Sequence, residues 1–187
     1  MENCNREIEV RFLEIDKKEI ISKLKDIGAS DKGESLVKEL IFYDKGLEWL
    51  AAGNKFIRLR KINGKVFLTY KNQFEDSATG TEEIEFEVGD FEKAKMLLER
   101  IGFVGIRYQE KKRHTFILGD AIFDIDTWPA VPTYIEIEAH SEGALKQAAN
   151  LLGLDWSKAV FENARKVLKK YYNIDVAKLS EFKFEKA

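Results

Sequence analysis

Several β-like segments of this chain carry charged residues on one face and apolar residues on the other. The pattern is plainest in three Glu-Ile-Glu triplets, at residues 7–9, 83–85 and 136–138, each followed by a short amphipathic helix that ends at a glycine. Because side chains alternate between the faces of a strand, each triplet presents two carboxylates together and turns its isoleucine the other way. Paired carboxylates bind metal or lie opposite cations, and any fold for this chain must accommodate them.

Basic residues follow the same alternation. Arg58 and Arg60 share one strand face, Lys111 and Arg113 share another, and Lys71 falls on the charged face of the segment 65–71. The residues on the opposite faces are aliphatic or aromatic: Ile57, Leu59, Val66, Leu68 and Tyr70. The charged faces are therefore opposed to apolar ones.

Composition restricts the class of protein. The 187 residues, 44% hydrophobic and 34% charged, predict one globular domain spanning 1–187, with a lysine-rich peripheral tail at 173–187. A formal net charge of -2 implies no general attraction to nucleic acid or to an anionic membrane. The single cysteine, Cys4, excludes an internal disulfide framework, and we find neither a signal-peptide pattern nor an apolar stretch of membrane-spanning length. We expect a cytoplasmic protein.

The periodicities predict about eight strands and four helices. The strands are expected at 6–13, 35–43, 56–62, 65–71, 81–88, 106–118, 121–127 and 133–139. The helices are expected from Asp16 to about residue 27, from Asp90 to 101, at 141–152 and at 157–172, with 44–54 as a connector and 73–80 as a loop. Asn63-Gly64 is a strong hairpin signal.

A single charged strand face is most simply the solvated side of an open sheet. Here six strands or more carry ionisable faces, and their opposite faces are apolar enough to need covering helices. The acids on these faces are Glu7, Glu9, Glu85, Glu87, Asp124, Asp126, Glu136 and Glu138, and the bases are Arg11, Arg58, Arg60, Lys71, Lys111 and Arg113. The pattern favours an α+β fold in which a closed antiparallel eight-stranded β-barrel turns the charges into its lumen and helices cover the outside.

Charges in a barrel lumen are costly unless they are paired or solvated. The lumen is therefore predicted to be a wet tunnel whose occupant complements its wall. Eight acids and six bases sum to -2. Two divalent cations and a fully ionised triphosphate add roughly zero to that sum, so such a complex fits the balance.

The ordered set of charged pairs resembles the CYTH family, the triphosphate tunnel metalloenzymes. The resemblance covers about residues 6 to 140, and residues 12–28, 126–129 and 134–138 are most similar to the class IV adenylyl cyclase branch. The family pattern on the first strand ends in lysine, whereas this chain has Arg11. Arginine keeps the charge and binds phosphate bidentately, but it does not supply a neutral amine.

The resemblance implies specific roles. The implied ligands of Mg²⁺ or Mn²⁺ are Glu7, Glu9, Asp126, Glu136 and Glu138. The implied triphosphate-binding residues are Arg11, Arg58, Arg60, Lys71, Lys111 and Arg113, of which Lys71, Lys111 and Arg113 are the catalytic candidates. The implied supporting carboxylates are Glu85, Glu87 and Asp124. Lys71 or Lys111 is a hypothetical general base, provided that its neighbours lower its pKa.

Several functions share this wall chemistry. The resemblance implies conversion of ATP to cyclic AMP and pyrophosphate; the alternatives are a triphosphatase acting on thiamine triphosphate, tripolyphosphate or a nucleoside triphosphate, a non-catalytic triphosphate-binding module, and an open sheet used for protein contact. His114 and His140 have no partners that suggest a catalytic triad or a zinc site. The expected partner is a small-molecule triphosphate, with no membrane or nucleic acid, and one flank of the barrel remains available for a homodimer.

Overall fold

The computed structural model describes residues 6–73 and 81–185, without the side chains of Arg6 and Glu7. Its strands are β1 Arg6–Glu7, β2 Glu9–Phe12, β3 Ser30–Asp44, β4 Lys55–Ile62, β5 Lys65–Gln73, β6 Thr81–Val88, β7 Phe103–Leu118, β8 Ala121–Thr127, β9 Tyr134–Glu138 and β10 Glu181–Phe182. Its α-helices are α1 Lys17–Asp26, α2 Glu48–Ala52, α3 Phe91–Arg100, α4 Glu142–Leu151 and α5 Ala164–Tyr172. The predicted loop at 73–80, beyond Gln73, and the predicted metal-binding role of the Glu7 side chain lie outside the described residues.

The strands form one curled sheet. Its order is β1-β6-β5-β4-β3-β7-β8-β9-β2, with antiparallel pairing throughout, and β10 adds to β7 in parallel. The predicted α+β class is confirmed, and of the predicted barrel the curled antiparallel sheet is confirmed. Apart from β10, counting β1 and β2 as one interrupted strand gives the eight strands that the sequence predicts for the sheet.

The N-terminal segment contributes to both flanks of the sheet. Its first part, β1, pairs with β6 through the backbone of Arg6 and Glu7, whereas β2 pairs with β9, so that Glu9 lies opposite Glu138. Only Ile8 separates the two parts, and its carbonyl accepts a hydrogen bond from the Ala139 amide at 3.1 Å.

Apolar residues on the outward strand faces pack against helices. The largest core cluster joins β2, β8 and β9 to α1 and α4, with Val10, Ile125, Ile137 and Leu145 fully buried. A second cluster packs α3, through Leu98, on the outward face of β4. Burying these helix and strand faces supplies the main stabilisation of the fold and leaves the charged strand faces directed inward.

Local sequence features behave as predicted at the hairpin and the helix starts. Asn63 and Gly64 both have positive φ, 50° and 80°, as a two-residue hairpin turn requires, and glycine adopts this conformation without strain. The side chains of Asp16, Asp90 and Ser141 each accept hydrogen bonds from backbone amides in the first turn of the helix that follows.

The sheet is longer than the sequence predicts. β3 begins at Ser30, not near residue 35, and pairs with β7, which itself begins at Phe103. The segment 30–34 is polar and contains Gly33, so its hydrophobic pattern gave no indication of a strand; its pairing shifts register between Asp31 and Glu34. The short helix α2 also falls inside the predicted connector at 44–54.

The predicted helix over 157–172 is wrong in its first half. Trp156–Lys158 is a short 3₁₀ helix, and α5 begins only at Ala164 after an Asn163 cap. Between them, the backbone of Val160 exchanges two 2.9 Å hydrogen bonds with that of Arg11. Tertiary pairing of this segment overrides its helical spacing.

The predicted peripheral position of 173–187 does not hold for Val176 and Phe182. Val176 is 1% exposed, and Phe182 stacks on Trp128 with ring centroids 5.9 Å apart. We expect Phe182→Ala to lower the free energy of unfolding by about 2–3 kcal/mol, measured by urea denaturation, because it leaves a cavity beside Trp128. Leu179→Ala, at a side chain that is 37% exposed, is the control. Equal stabilities of the two variants would contradict this packing role.

No helix in the described portion of the chain is long and apolar enough to cross a membrane.

Candidate active site

The inward face of the sheet lines a cavity of about 940 Å³. That volume is within the range of small-molecule sites. Ten of the predicted site residues line it: Arg11, Arg58, Arg60, Lys71, Glu85, Lys111, Arg113, Asp124, Glu136 and Glu138. The alternation along the strands has therefore brought acids and bases from β2, β4, β5, β6, β7, β8 and β9 to one cavity.

Glu9 and Asp126 lie immediately behind this lining. Asp126 is fully buried and accepts hydrogen bonds from Lys111 Nζ at 2.8 Å and from Arg113. Glu9 is 5% exposed and accepts a 2.8 Å hydrogen bond from Arg11. Their carboxylates hold basic side chains of the lining in place.

Glu87, predicted as a supporting carboxylate, is not part of the central cluster. Its side chain is 51% exposed and forms an ion pair with Lys65 at 3.0 Å, close to the β4–β5 turn. It shares the face of Glu83 and Glu85 and lies opposite Phe67 on β5, at the exposed end of its strand.

Arg113 is the most heavily paired base. Its guanidinium bonds Asp126 through Nε and Nη2, both at 2.7 Å, and it contacts Asp124 at 2.6 Å and Glu136 at 3.1 Å. Burial alone would lower the pKa of Arg113, but Asp124 and Asp126 raise that pKa well above its usual value. The guanidinium thus neutralises part of the charge of three carboxylates and connects them in the cavity lining.

Arg11 is likewise ion-paired with carboxylates of the cavity lining. Its Nη2 lies 2.8 Å from Glu9 and 2.6 Å from Glu136, and its Nη1 donates to the Glu162 carbonyl at 2.9 Å. Burial acts to lower the pKa of Arg11, and Glu136 and Glu9 raise it well above the usual value. The planar fork of arginine makes these three contacts at once, which the single ammonium of a lysine does not match in geometry.

Arg58 and Arg60 form a cationic cluster on β4. Arg60 contacts Glu85 at 2.7 Å, and Arg58 contacts Glu85 at 3.4 Å and Glu39 at 3.5 Å. Burial and the adjacent charge of Arg58 lower the pKa of Arg60, and Arg113 adds to that effect. Arg58 also lies 3.7 Å from Glu83, so two adjacent guanidiniums share three carboxylates in the cavity lining. Guanidiniums placed side by side in this way are able to bind phosphate oxygens.

Glu138 lies in an acidic cluster with Glu9 and Glu83. Burial, Glu136 and Glu9 raise the pKa of Glu138 to about 7, and Glu83 contributes in the same direction. In addition, Glu9 Oε2 is buried and accepts no hydrogen bond from the part of the chain that is described. Lys71 Nζ lies 3.6 Å from Glu9 and 3.2 Å from Glu83 and offsets part of this repulsion.

The interior carboxylates do not form a ready-made cluster of three or more metal ligands within residues 6–73 and 81–185. Most of them are ion-paired with basic side chains, as Glu136 is with Arg11 and Arg113. The donor set nevertheless consists of carboxylate oxygens, which suit hard cations such as Mg²⁺ and Mn²⁺. Because a divalent cation would relieve the crowding of acids at Glu138 and engage the buried Glu9 oxygen, these residues fit one.

The raised pKa of Glu138 predicts a pH dependence of stability. The folded state keeps its proton up to about pH 7, whereas the unfolded chain loses it near the ordinary value of 4.5, so stability falls as pH rises through this window. For the metal-free protein, we expect the contribution of Glu138 to the free energy of unfolding to fall by about 1–2 kcal/mol across this window, after allowance for its partial exposure. Thermal unfolding in EDTA from pH 5 to 8 measures it, and an identical slope in Glu138→Gln would contradict the assignment.

Glu39, Gln109 and Arg107 belong to the interior although the pattern analysis did not identify them. Glu39 is 2% exposed and accepts a 2.5 Å hydrogen bond from Gln109 Nε2, and Arg107 Nε donates to Gln109 Oε1 at 2.8 Å. Burial acts to raise the pKa of Glu39, but Arg58 and Lys111 lower it to about 2. Arg107 and Gln109 lie at alternate positions on the same strand as Lys111 and Arg113, so their side chains point to the same face. This alternation could have identified them.

Comparison with known proteins agrees with this geometry. The CYTH domain family model matches residues 5–172. A Methanocaldococcus jannaschii protein named "Putative adenylate cyclase MJ0240" is 25% identical over 133 residues, which are 71% of this chain and 75% of that protein.

Two solved structures share the fold. The PH1012 protein from Pyrococcus horikoshii superposes with a TM-score of 0.71 at 26% identity, covering 84% of this chain and 96% of that one. The Hippeastrum protein HpAC1, described as a "putative adenylyl cyclase" with a dominant triphosphatase activity, superposes with a TM-score of 0.61 at 17% identity, covering 89% of this chain and 95% of that one.

Proposed function

This chain belongs to the CYTH domain family, and on that premise we propose that it is a divalent-metal-dependent enzyme that converts ATP to cyclic AMP and pyrophosphate in its charged interior. The name of the M. jannaschii relative supports the cyclase reaction. The proposed cofactor is Mg²⁺ or Mn²⁺, and the proposed substrate is a small-molecule triphosphate.

The observation that carries the proposal is the separation of like charges in one cavity. Arg58 and Arg60 lie side by side on β4 in the cavity lining. Glu138 also lines the cavity and lies opposite Glu9 in the β2–β9 pairing, where burial, Glu136 and Glu9 raise its pKa to about 7. A triphosphate would bind the first pair, and a divalent cation would relieve the repulsion at the second. A metal–triphosphate complex therefore complements both at once.

The residues have distinct proposed roles. Glu9 and Glu138 would hold the cation, with Glu136 and Asp126 as the further ligands that the resemblance implies. Bound metal supplies Lewis-acid stabilisation of the charge that develops on phosphate oxygens. The triphosphate would be oriented, and the same charge stabilised, by Arg58, Arg60, Lys71 and Lys111. Arg11 and Arg113 would hold the interior carboxylates in position. That Lys71 or Lys111 acts as the base that accepts the attacking hydroxyl proton stays a prediction.

We also propose that the curled sheet closes into the predicted eight-stranded tunnel. The N-terminal segment supports closure because β1 pairs with β6 and β2 with β9, with one residue between them. Closure would leave the interior accessible only from its two ends and would exclude bulk water from the ion pairs.

A triphosphatase is the second candidate function. The Hippeastrum protein that shares the fold is described as having a dominant triphosphatase activity. In that reaction water attacks the terminal phosphorus and orthophosphate leaves, and the same wall residues would serve. The substrates to consider are thiamine triphosphate, tripolyphosphate and nucleoside triphosphates.

Product analysis decides between these functions. We propose incubation with ATP, thiamine triphosphate and tripolyphosphate in turn, with Mg²⁺ or Mn²⁺ and with EDTA as the control. Cyclic AMP with pyrophosphate supports the cyclase, and orthophosphate supports the triphosphatase. Tight binding of a triphosphate with no metal-dependent product would identify a binding module, and the absence of both binding and turnover would overturn the proposal.

A further inference from the structure

We propose that the substrate carries a heteroaromatic group which stacks on Phe67 at one particular end of the cavity, with its triphosphate directed inward. This inference rests on the proposed function and adds the orientation of the substrate and a residue that determines its specificity. The compound class is a nucleoside triphosphate, as opposed to inorganic tripolyphosphate.

The topology defines two ends of the cavity. β4 and β7 both pair antiparallel with β3, so they run in the same direction, and the turns that follow them, at Asn63-Gly64 and Gly119-Asp120, lie at the same end. We call this the hairpin end. The opposite end, where β5 finishes at Gln73, is the C-terminal end, because α5 and the segment after it pack there.

Side chains that are already paired with one another fill the C-terminal end. Asn163 donates to Gln73 Oε1 at 2.6 Å, which ties the start of α5 to the end of β5. Beside it, Trp128 donates to the Tyr134 hydroxyl at 2.8 Å, and both rings are at most 3% exposed. Leu168 and Val176 pack on this pair and are likewise buried. A substrate ring would have to displace these contacts to bind there.

The hairpin end is accessible and carries three apolar side chains beside exposed polar ones. Phe67 at the start of β5, Ile62 at the end of β4 and Ile122 at the start of β8 all line the cavity and are only partly buried. His140 and Asp120, at the same end, are exposed. A substrate that enters here with its triphosphate first leaves its organic group at this end, in contact with apolar side chains, once its phosphates reach the charged centre.

Phe67 adjoins the cationic cluster. The Arg60 guanidinium carbon lies 5.5 Å from the centre of the Phe67 ring, and the two residues face each other across β4 and β5. Arg58 lies two residues further inward on β4, about 7 Å along the strand. A ring stacked on Phe67 would therefore place an attached triphosphate along Arg60 and then Arg58. Phenylalanine and arginine both stack on the faces of nucleobases, which favours a planar heteroaromatic ring over an aliphatic group.

Equilibrium affinities for two probes test this orientation. Isothermal titration in EDTA, which prevents metal-dependent turnover, compares ATP with inorganic tripolyphosphate for the wild type, F67L, F67Y and F56L. Phe56 lines the cavity on the same strand as Arg58 but lies nearer the C-terminal end of the cavity. F56L is therefore the matched control. We expect F67L to lower the ratio of ATP affinity to tripolyphosphate affinity about 10-fold. F67Y should keep the wild-type ratio because it keeps the aromatic ring, and F56L should leave the ratio unchanged.

Each contrary result has a distinct meaning. A fall of the affinity ratio in F56L with none in F67L would overturn the orientation. An unchanged ratio in both variants, with a wild type that binds both probes, would overturn the stacking role and leave the proposed function standing. A wild type that binds neither probe, with or without Mg²⁺, would overturn the proposed function and this inference with it. Thermal unfolding of each variant establishes that it is folded.

Discussion

Glu138→Gln is expected to lower metal-dependent turnover by about 1,000-fold while making the metal-free protein more stable above pH 7. The two effects have one cause. Ionised Glu138 is repelled by Glu136 and Glu9, so a neutral amide removes an unfavourable interaction from the folded state. The same amide is a weak metal ligand, so the cation that relieves this repulsion is no longer held.

Initial rates with ATP and Mg²⁺ or Mn²⁺, together with thermal unfolding in EDTA at pH 8, measure both effects. Glu142→Gln is the matched control, since Glu142 forms an exposed i,i+4 pair with Lys146 on α4. Glu9→Gln should lose turnover as well, but without the gain in stability, because Glu9 accepts a hydrogen bond from Arg11. Wild-type rates in Glu138→Gln or Glu9→Gln would remove that residue from the metal site.

Arg113→Gln is expected to lower the free energy of unfolding by about 3 kcal/mol, the cost of removing one partner from a buried ion-pair network. The substitution leaves Asp124, Asp126 and Glu136 without their shared cation in a place where side chains are little exposed. Lys111 still pairs with Asp126 at 2.8 Å, and Arg11 with Glu136, so the loss is large but partial. Repulsion among the acids should also weaken triphosphate binding.

Urea denaturation at pH 7 measures this loss, and Arg60→Gln is the contrasting variant. Arg60 has a lowered pKa because burial and Arg58 oppose its charge, so its removal should cost far less stability. Arg60→Gln should still bind tripolyphosphate more weakly, since Arg60 belongs to the cationic cluster. If the two variants are equally stable, Arg113 is not the centre that balances the interior acids.

The charged interior could be predicted from sequence because strand alternation is strict. Once Glu136 and Glu138 lie on one face with Ile137 on the other, the covering helices determine which face is inward. The same reasoning placed Arg58 with Arg60 and Lys111 with Arg113. It did not find Glu39, because a single acid among apolar residues in a strand has no periodic partner to identify it.

Other features depend on long-range contacts that no local pattern reports. Val160 lies in a segment with helical spacing, yet its backbone pairs with Arg11, about 150 residues away in sequence. Phe182 is in a lysine-rich segment that gives no indication of burial. Glu87 lies on the same strand face as Glu85. Only its position further along the strand makes Glu87 exposed while Glu85 lines the cavity.

The split N-terminal strand also constrains how the protein is made. Its two parts pair with β6 and with β9, and β9 ends at Glu138, so the sheet is incomplete until most of the chain has left the ribosome. Until then the unsatisfied edge of the nascent sheet is open to pairing with other chains. Contacts of such high sequence separation also predict slow folding, so this edge is expected to stay open longer than in a sheet built only from neighbouring strands.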